Sequence, residues 1–405
     1  MKIAVLNIGN ELLKGTTANT NLVAIGQELV KLGIPPVLQI TINDAKEDIQ
    51  NAIKFIETQN SDVIISSGGL GPTADDITVE TFANYFKLKL YINENVIEHI
   101  KNILGSNKEL SSHNKKQAIV PEGATILTNR NGTAPGIRFV ADNKIIFLLP
   151  GPPSELNLLF IEEVIPYINS LRRNKIFFES VYTTGIAESE LQRIVTENIP
   201  ESNDLYGAYR FEPGCCEISF SSPFQKLVSD SADKLKTILG DAILKKGCKN
   251  IIEDILLRLK EQKLSLGTAE SCTGGMISSK ITDISGTSAV FKGAVIAYSN
   301  ELKEKLLNVK KNTLKQNGAV STECALEMAE GCCSSLNTTA SIAVTGIAGP
   351  SGGTPEKPVG LVFIAVKVKN KTIVNSYNIK GDRTRIRTLT CFRALNDLRS
   401  LLIKS

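Results

Sequence analysis

The sequence predicts an α/β protein with two α/β domains and a small α+β module between them. The chain has 405 residues, of which 42% are hydrophobic, and single domains rarely grow beyond ~250–300 residues, so several cores are expected. Short apolar runs alternate with helical patterns in its first part, which is typical of a parallel sheet covered on both faces. The final third has strands of its own, so it can build a separate core.

The first region alternates predicted strands with predicted helices. Strands are expected at residues 3–6, 36–42, 62–66 and 145–149, and helices at residues 19–32 and 45–58. The last of these strands runs into Pro150-Gly151-Pro152-Pro153, and consecutive prolines cannot continue a central strand. A shaped loop is therefore expected at its carboxyl end.

The middle module and the final region differ from the first region in pattern. The module has predicted strands at residues 177–183 and 217–220 and a predicted helix at residues 188–197. In the final region, helices are expected at residues 251–262 and 276–284, strands at residues 264–266, 340–345 and 359–366, and a basic segment at residues 383–399. The module is thus the smallest of the three parts.

Composition excludes several classes of protein. The net charge of +4 provides no broad electrostatic footprint for nucleic acid or anionic lipid, and 5% aromatic residues with no tryptophan argue against a platform on which single strands stack. No apolar run approaches the ~20 residues that cross a bilayer, and the N-terminus lacks a cleavable signal pattern, so we expect a cytoplasmic protein without a membrane partner. Eight cysteines without a CxxC repeat indicate reduced thiols rather than a zinc ribbon.

A glycine-rich loop follows the strand predicted at residues 62–66. Its sequence, SGGLGPTADD, contains Gly68, Gly69 and Gly71, and glycines let a backbone approach a ligand with its N–H groups exposed. Open α/β sheets bind ligands in the loops beyond the carboxyl ends of their strands. The acidic pair Asp75-Asp76 offers oxygen ligands to a Mg²⁺-like ion that bridges protein and pyrophosphate. The alternative is an ordinary helix cap after a glycine-rich turn.

The strongest signal is the sequence GTAESCTGG at residues 267–275. Small residues before a predicted helix place the hydroxyl of Ser271 at a tight turn, and the glycines, Gly274 among them, leave N–H groups exposed. This layout suits attack on a carbonyl group with backbone amides that hold the oxyanion. The sequence therefore predicts acyl transfer at this turn.

Ser271 needs a base, and the final region contains no histidine. A buried lysine can replace histidine because desolvation disfavours its charged form, and a tyrosine hydroxyl can relay or orient the proton. Tyr298 and Lys303 follow a buried strand that begins at Gly293. The planar fork of Arg385 suits a phosphate group, and Gly346 allows a backbone to approach a nucleotide closely.

Each of these residues has a simpler interpretation. Lys303 can lie on a solvated helix face, and Tyr298 can pack in the core. Arg385 can belong to a solvated basic helix, and Thr345 can cap a turn. Cys272 is the rival nucleophile, because the start of a helix activates a thiolate.

The motifs occur together in the order and spacing of one family. They are GNELLKG at 9–15, GGLGPTADD at 68–76, NGTAPG at 131–136, PGPPSE at 150–155, TAESCTGG at 268–275, GAVIAYSNELK at 293–303, VTGIAGP at 344–350 and GDRTR at 381–385. In these motifs the chain resembles the CinA family. The resemblance implies a three-layer molybdopterin-binding-like domain at residues 1–170, a small α+β linker module at 171–247, and a C-terminal α/β amidase domain at 250–405.

The resemblance also implies a bifunctional nucleotide hydrolase. The C-terminal domain would be a nicotinamide mononucleotide deamidase that releases nicotinate mononucleotide and ammonia and uses no cofactor. The N-terminal domain would be an ADP-ribose pyrophosphatase that uses a divalent metal ion, Mg²⁺ or similar. The family also implies a homodimer.

Site residues are carried over from the resemblance motif by motif. In the C-terminal domain, Ser271 would be the nucleophile, Tyr298 and Lys303 would activate it, and Thr345 and Arg385 would bind substrate. In the N-terminal domain the metal ligands would be Asp76, Asp44 and Glu11. Many relatives carry Asp or Thr where this chain has Asn10.

Two other functions fit parts of the sequence. The N-terminal domain can bind molybdopterin or transfer an adenylyl group, because the fold carries several functions. The whole chain can also be a non-catalytic partner in competence or the DNA-damage response, as the name of the family suggests. The small net charge and the low aromatic content argue against a surface on which single-stranded nucleic acid stacks, so the sequence gives this non-catalytic role little support.

Overall fold

The computed structural model describes residues 1–105, 110–171, 176–200 and 202–405. They form two compact units, Met1–Phe178 with Ser221–Gln225 and Glu179–Phe220 with Lys226–Ser405. Most of the expected linker module, 171–247, falls in the second unit, and its residues 172–175 and 201 lie outside the described ranges. The three-part division stays a prediction. In the described ranges, no helix is long and apolar enough to span a membrane.

Strands and helices alternate in the first unit. The strands are β1 (Ile3–Ile8), β2 (Leu38–Ile42), β3 (Val63–Ser67), β4 (Leu90–Ile92), β5 (Ile119–Pro121), β6 (Thr125–Leu127), β7 (Gly136–Ala141) and β8 (Lys144–Leu149). The helices are α1 (Asn10–Leu13), α2 (Thr20–Lys31), α3 (Lys46–Thr58), α4 (Thr78–Tyr85), α5 (Glu94–Leu104), α6 (Ser112–Lys116), α7 (Pro153–Leu159) and α8 (Ile165–Ser170), with a π-helical turn at Phe160–Val164.

The main sheet of this unit has the strand order β2-β1-β3-β8-β7-β6. Strands β2, β1, β3 and β8 are parallel as predicted, but β7 and β6 are antiparallel to their neighbours, so the sheet is mixed. The reason is the connection between β7 and β8. Asp142 and Asn143 join the two strands with φ angles of 46° and 59°, and so short a turn makes a hairpin rather than a parallel crossover.

Helices cover both faces of this sheet. Val5 of β1 packs in a core with Leu29 of α2 and Leu156 of α7. The next residue, Leu6, packs in a separate core that contains Ile53 of α3. Because successive side chains of a strand point to opposite faces, the sheet lies between two helical layers, and the predicted three-layer arrangement is confirmed.

The second unit contains the remaining strands and helices. The strands are β9 (Phe177–Thr183), β10 (Tyr206–Glu212), β11 (Cys215–Ser222), β12 (Leu266–Glu270), β13 (Phe291–Ile296), β14 (Ala340–Gly346), β15 (Leu361–Val368) and β16 (Lys371–Asn378). The helices are α9 (Glu188–Asn198), α10 (Gln225–Leu239), α11 (Ile251–Glu261), α12 (Met276–Thr282), α13 (Asn300–Leu307), α14 (Lys311–Gln316), α15 (Thr322–Leu336) and α16 (Arg383–Ile403), with 3₁₀ turns at Gly240–Ala242 and Thr287–Ala289.

The larger sheet of this unit has the strand order β13-β12-β14-β15-β16. Strands β13, β12 and β14 are parallel, and β15 and β16 are antiparallel. Strand β15 begins at Leu361, later than the predicted residue 359. Gly360 has a φ of 98° and its N–H donates to the carbonyl of Ile347, so these residues still belong to a turn.

The two faces of this sheet pack in two different hydrophobic cores. Ile342 of β14 packs in a core with Ile255 of α11 and Leu398 of α16. Its neighbour Ala343 packs in another core that contains Met328 of α15. The central strands are therefore covered on both sides, and their carboxyl ends are left as the open edge where a site can form.

The basic C-terminal segment forms α16, in which Arg385 is exposed, as its interpretation on a solvated basic helix expects, while other residues of the same helix lie in the core. Arg399 of α16 is 2% exposed. Its Nε donates to the fully buried carboxylate of Asp254 at 2.8 Å, and its other nitrogens donate to the carbonyl groups of Asp241 and Ile243 at 2.6 Å each. A buried guanidinium needs such partners, so Arg399 ties α16 to α11 and to the segment that precedes α11.

Candidate active site

Ser271 directly follows β12, which lies between β13 and β14. Its backbone N–H donates to the carbonyl of Val344 at 3.1 Å, which fixes the serine at the edge of the sheet. Gly274 and Gly275 have φ angles of 58° and 91°, so the chain reverses sharply before α12 begins at Met276. The strand lies a few residues later than predicted, but the expected turn and helix after the serine are confirmed.

Glu270 locks this turn, and sequence reasoning missed it. Its carboxylate is fully buried and accepts hydrogen bonds from the N–H groups of Ile277 at 3.0 Å and Ser278 at 2.8 Å. The carboxylate thus satisfies free N–H groups in the first turn of α12 and lies at the positive end of the helix dipole. The available signal was an acidic residue in the sequence AES, just before a turn and a helix.

Lys303 of α13 contacts the serine. Its side chain is 2% exposed. The Nζ donates to Ser271 Oγ at 3.0 Å, to the carbonyl of Ala297 at 2.9 Å and to the carbonyl of Tyr298 at 3.4 Å. The two carbonyl groups accept two of the N–H bonds of Nζ, so its remaining position faces Ser271 Oγ. That position carries a proton when the lysine is an ammonium and a lone pair when it is a neutral amine. The interpretation of Lys303 as a solvated residue is wrong.

Burial lowers the pKa of Lys303, because its ammonium group loses contact with water. The thiols of Cys324 and Cys272 oppose this shift only when they are ionised. Burial raises the pKa of the two thiols to about 11 and about 12 respectively, so both are neutral at ordinary pH. The same burial argues against Cys272 as the nucleophile, since the thiolate is the reactive form.

A cavity of about 190 Å³ opens above the serine and the lysine. Its walls include Ser271, Cys272, Tyr298, Asn300, Lys303, Thr345, Gly346 and Arg383. Tyr298 is 62% exposed, and its hydroxyl accepts a hydrogen bond from Arg383 at 3.3 Å. Among the described residues, this hydroxyl bonds to neither Ser271 nor Lys303. The structure thus places Tyr298 in the wall of the cavity, and its predicted role in activating Ser271 stays a prediction.

Thr345 and Gly346 form the wall of the cavity on β14. Thr345 is 1% exposed and donates to the carbonyl of Ala319 at 2.7 Å. It therefore holds the segment before α15, and its oxygen still has acceptor capacity. At Gly346 a Cβ would lie 2.4 Å from Cγ1 of Val362, so close packing of β14 on β15 requires the glycine.

The structure separates the arginines at the start of α16. Arg383 lines the cavity and donates to the carbonyl of Gly349 at 2.8 Å. Arg387 lies on the same helix face, four residues later, and donates to the carbonyl of Thr273 at 2.7 Å. Arg385 has an exposed side chain and is not one of the described residues that line the cavity. Its predicted role in binding substrate stays a prediction, and Arg383 is the residue that the sequence analysis missed.

A second, larger cavity of about 570 Å³ lies in the first unit, beyond the carboxyl ends of β1, β3 and β8. Gly68, Gly69 and Gly71 line it, as the sequence analysis expected. A Cβ at Gly68 would lie 2.1 Å from the carbonyl oxygen of Ile8, so the loop can pass β1 only with glycine at this position. Asn21 also supports the cavity, because its amide donates to the carbonyl of Gly151 at 2.7 Å.

Carboxylates gather in this second cavity. Glu11, Asp44, Asp75 and Asp76 line it. Burial raises the pKa of Asp44, and the charges of the other three carboxylates raise it further. Residues 1–105, 110–171, 176–200 and 202–405 contain no group of three or more His, Cys, Asp or Glu side chains close enough to hold a metal ion. The ligand set of Asp76, Asp44 and Glu11 therefore stays a prediction, although all three share one cavity.

Two family models each match one part of the chain. A family model described as "CinA C-terminal domain" matches residues 248–402, and a model described as "Probable molybdopterin binding domain" matches residues 4–170. A protein from Caldicellulosiruptor bescii that is named as a competence-damage inducible protein is 40% identical to this chain over 410 residues, and the match covers all of both chains. The chain belongs to the CinA family. A CinA-like protein from Dictyoglomus thermophilum is 37% identical over 410 residues, again with full coverage of both chains.

One solved CinA-family structure illustrates how much of the chain such structures cover. A competence/damage inducible protein from Agrobacterium tumefaciens is 40% identical, covers 37% of this chain and 93% of its own, and has a TM-score of 0.37. In this CinA-family chain the serine cavity lies within the part matched by the C-terminal model, and the acidic cavity within the part matched by the N-terminal model.

Proposed function

We propose that the serine cavity hydrolyses the carboxamide of nicotinamide mononucleotide to nicotinate mononucleotide and ammonia. The observation that carries this proposal is the buried amine of Lys303, 3.0 Å from Ser271 Oγ. A lysine whose pKa is lowered by burial can exist as a neutral base near neutral pH, and a serine hydroxyl needs such a base to attack an amide.

The reaction proceeds in two halves on these residues. In the first, Ser271 Oγ attacks the carboxamide carbon while its proton passes to Lys303 Nζ, and the C–N bond breaks as the lysine returns the proton to the leaving ammonia. In the second, water gives a proton to Lys303 and adds to the acyl carbon. The ester bond then breaks, the proton returns to the Ser271 oxygen, and the carboxylate product leaves. The carbonyl groups of Ala297 and Tyr298 keep the nitrogen aimed at the serine in both halves.

Arg383 is the group in this cavity best suited to the 5′-phosphate. It is cationic, lies in the wall, and is already oriented by hydrogen bonds to Gly349 and Tyr298. A guanidinium can donate two parallel hydrogen bonds to phosphate oxygens. Tyr298, beside it at the mouth, offers a ring face and a hydroxyl to the nucleotide.

Arg383→Gln is expected to raise KM for nicotinamide mononucleotide by about tenfold or more, with a smaller change in kcat, because a charge-assisted hydrogen bond to the phosphate is lost. Steady-state assays of ammonia release measure this change. The preference for nicotinamide mononucleotide over nicotinamide riboside, which has no phosphate, should fall with it.

Arg385→Gln is the matched control for that measurement, since it removes the same charge two residues away on the exposed side of α16. Its KM should stay within about twofold of the wild-type value. If Arg385→Gln raised KM and Arg383→Gln did not, the assignment made from the sequence would be correct and the one made from the cavity wrong.

We also propose that the acidic cavity of the first unit hydrolyses the pyrophosphate of ADP-ribose with a divalent metal ion. The favouring observation is that Asp44, Asp76 and Glu11 line one cavity with the glycine-rich loop. Hard carboxylate oxygens fit Mg²⁺, and phosphate oxygens of the substrate can complete the ligand set. Such an ion supplies charge neutralisation and an activated water when bound. The backbone of the glycine loop provides room for the phosphates, and Thr73 holds Asp76 through a bond of 2.8 Å from its N–H.

A chelator is expected to abolish release of AMP from ADP-ribose while ammonia release from nicotinamide mononucleotide continues unchanged in the same sample. The reason is that only the acidic cavity depends on a metal in this proposal. Asp76→Asn should reproduce the selective loss, and Asp142→Asn, on an exposed turn of the same unit, should not. Full ADP-ribose hydrolysis in the presence of chelator would contradict a metal-dependent site.

The alternative functions remain measurable in the same protein. Molybdopterin binding would appear as displacement of ADP-ribose by molybdopterin at lower concentration. A non-catalytic role would appear as no turnover of either nucleotide by the full-length chain with Mg²⁺ present.

A further inference from the structure

The serine cavity has one wall that the proposed reaction does not explain. Residues 317–320 connect α14 with α15 and belong to neither a helix nor a strand. Two of them, Ala319 and Val320, line the cavity, and none of the motifs that point to the reaction includes them. Because an irregular segment has no ladder of backbone hydrogen bonds to fix it, its position depends on the side chains that hold it.

Lys357 holds the two ends of this segment. Its Nζ donates to the carbonyl of Asn317 at 2.6 Å and to the carbonyl of Val320 at 2.7 Å. Within the described ranges the ammonium makes no other hydrogen bond, and a cation is a strong donor to carbonyl groups. Between the two ends, Gly318 has a φ of 76°, and a Cβ there would lie 3.2 Å from Nζ. The segment therefore curls closely around one cation.

Two hydroxyl groups hold the middle of the segment. Thr345 of β14 donates to the carbonyl of Ala319 at 2.7 Å, and Ser321 donates to the carbonyl of Gly318 at 3.0 Å. All four carbonyl groups of residues 317–320 thus accept hydrogen bonds from side chains. These bonds set how far the apolar side chains of Ala319 and Val320 project into the cavity.

The loop that carries Lys357 also reaches the opposite side of the substrate site. It is closed by Thr354, whose N–H donates to the carbonyl of Lys357 at 2.9 Å and whose hydroxyl accepts from the N–H of Lys357 at 3.1 Å. Earlier in the same loop, the carbonyl of Gly349 accepts the hydrogen bond that orients Arg383. One loop therefore supports both the arginine and the segment at residues 317–320.

We propose that Lys357 is a positioning residue of the serine cavity, which holds Ala319 and Val320 against the ring of bound nicotinamide mononucleotide. Apolar walls are typical of sites that take a flat ring. Among the described residues that line the cavity, Lys357 is absent, so it acts through the segment and not on the substrate. The inference rests on the proposed amidase for the identity of the substrate.

Lys357→Met is expected to raise KM for nicotinamide mononucleotide by about tenfold and to leave kcat within about threefold of the wild type, because the wall moves while Ser271 and Lys303 keep their contact. Steady-state assays of ammonia release separate the two constants. A merely destabilised protein would lose active molecules and show a lower kcat at unchanged KM, and that result would overturn the proposal. Lys315→Met, at an exposed position of α14, is the matched control and should change neither constant.

A double-mutant cycle tests whether Lys357 acts through the segment. Val320→Ala alone should raise KM by about fivefold, because an apolar contact with the ring is lost. Added to Lys357→Met, it should raise KM by less than about twofold further, because the side chain has already moved away from the ring. Effects that simply multiply would place the action of Lys357 elsewhere and overturn the proposal.

Hydrogen exchange tests the clamp without any substrate. The N–H groups of Asn317 and Gly318 donate to carbonyl groups of α14, and their exchange should be faster in Lys357→Met and unchanged in Lys315→Met, because the end of the helix is released. If the wild type neither binds nor hydrolyses nicotinamide mononucleotide, the proposed function falls, and the clamp stands or falls on this measurement. If the wild type hydrolyses it while Lys357→Met keeps the wild-type KM, the inference falls and the proposed function stands.

Discussion

Replacing Ser271 by alanine is expected to reduce ammonia release from nicotinamide mononucleotide by about 10⁴-fold or more, because removal of a nucleophile leaves only binding and oxyanion stabilisation. The fold should persist, since the Oγ of Ser271 contributes one hydrogen bond to Lys303. Ammonia release under saturating substrate measures the effect, and hydrolysis of ADP-ribose in the same preparation reports on the other unit.

Two further variants make this result specific. Ser279→Ala removes a hydroxyl from an exposed position of α12 and should retain wild-type activity. Cys272→Ala removes the rival nucleophile and should keep activity within about tenfold of the wild type. The small loss would come from the change in packing around the buried side chain. Equal rates for Ser271→Ala and the wild type would end the serine mechanism, and loss in Cys272→Ala alone would transfer the role to the thiol.

Lys303→Met is expected to reduce kcat by about 10³-fold, because a general base typically contributes 10²–10⁴-fold. Methionine has a similar length and no charge, so the variant keeps most of the packing around α13. The carbonyl of Ala297 loses its hydrogen bond from Nζ, which should lower stability by about 1 kcal/mol. Lys305→Met, at an exposed position of the same helix, is the matched control and should leave kcat unchanged.

The pH dependence of the wild-type rate tests the same residue. Burial lowers the pKa of Lys303, and only the neutral amine can accept the serine proton. Activity should therefore rise with pH through this pKa, below the ordinary lysine value of ~10.4, and fall as the amine is protonated at lower pH. Initial rates over a pH series, with Lys303→Met for comparison, measure it. A wild-type profile as flat as that of the variant would contradict Lys303 as the base.

Local patterns were sufficient for most of the fold. The strands β1, β3 and β8 and the helices α2 and α3 follow the predicted apolar periodicity closely, because alternation and helical spacing are properties of short segments. The antiparallel strands β7 and β16 were not predicted, since strand direction depends on which segments pair and on a turn of two residues. The basic composition of the segment at 383–399 did not reveal that Arg399 meets the buried carboxylate of Asp254, because charge alone does not indicate a partner distant in sequence.

The candidate sites divide in the same way. Ser271, Lys303 and the glycine loop were predicted from motifs, whereas Glu270, Arg383 and Lys357 became evident only from contacts. The partners of Glu270 lie only seven and eight residues later, whereas Arg383 bonds to Gly349, 34 residues away in the sequence. Arg383 faces the cavity because Ile386, three residues later on α16, is buried in a core with Cys272 and Val362, which fixes the side of the helix that meets the site.

Sequence alone determined which reactive groups this protein has. They are a serine in a tight turn, in a domain without histidine, a lysine after a strand, and carboxylates beside a glycine-rich loop. Only the tertiary structure decided which of them act together. Thirty-two positions separate the serine from the lysine, and the lowered pKa arises from the β-sheet and helices that exclude water around the amine. Desolvation is a property of the packed environment, so no local pattern can encode it.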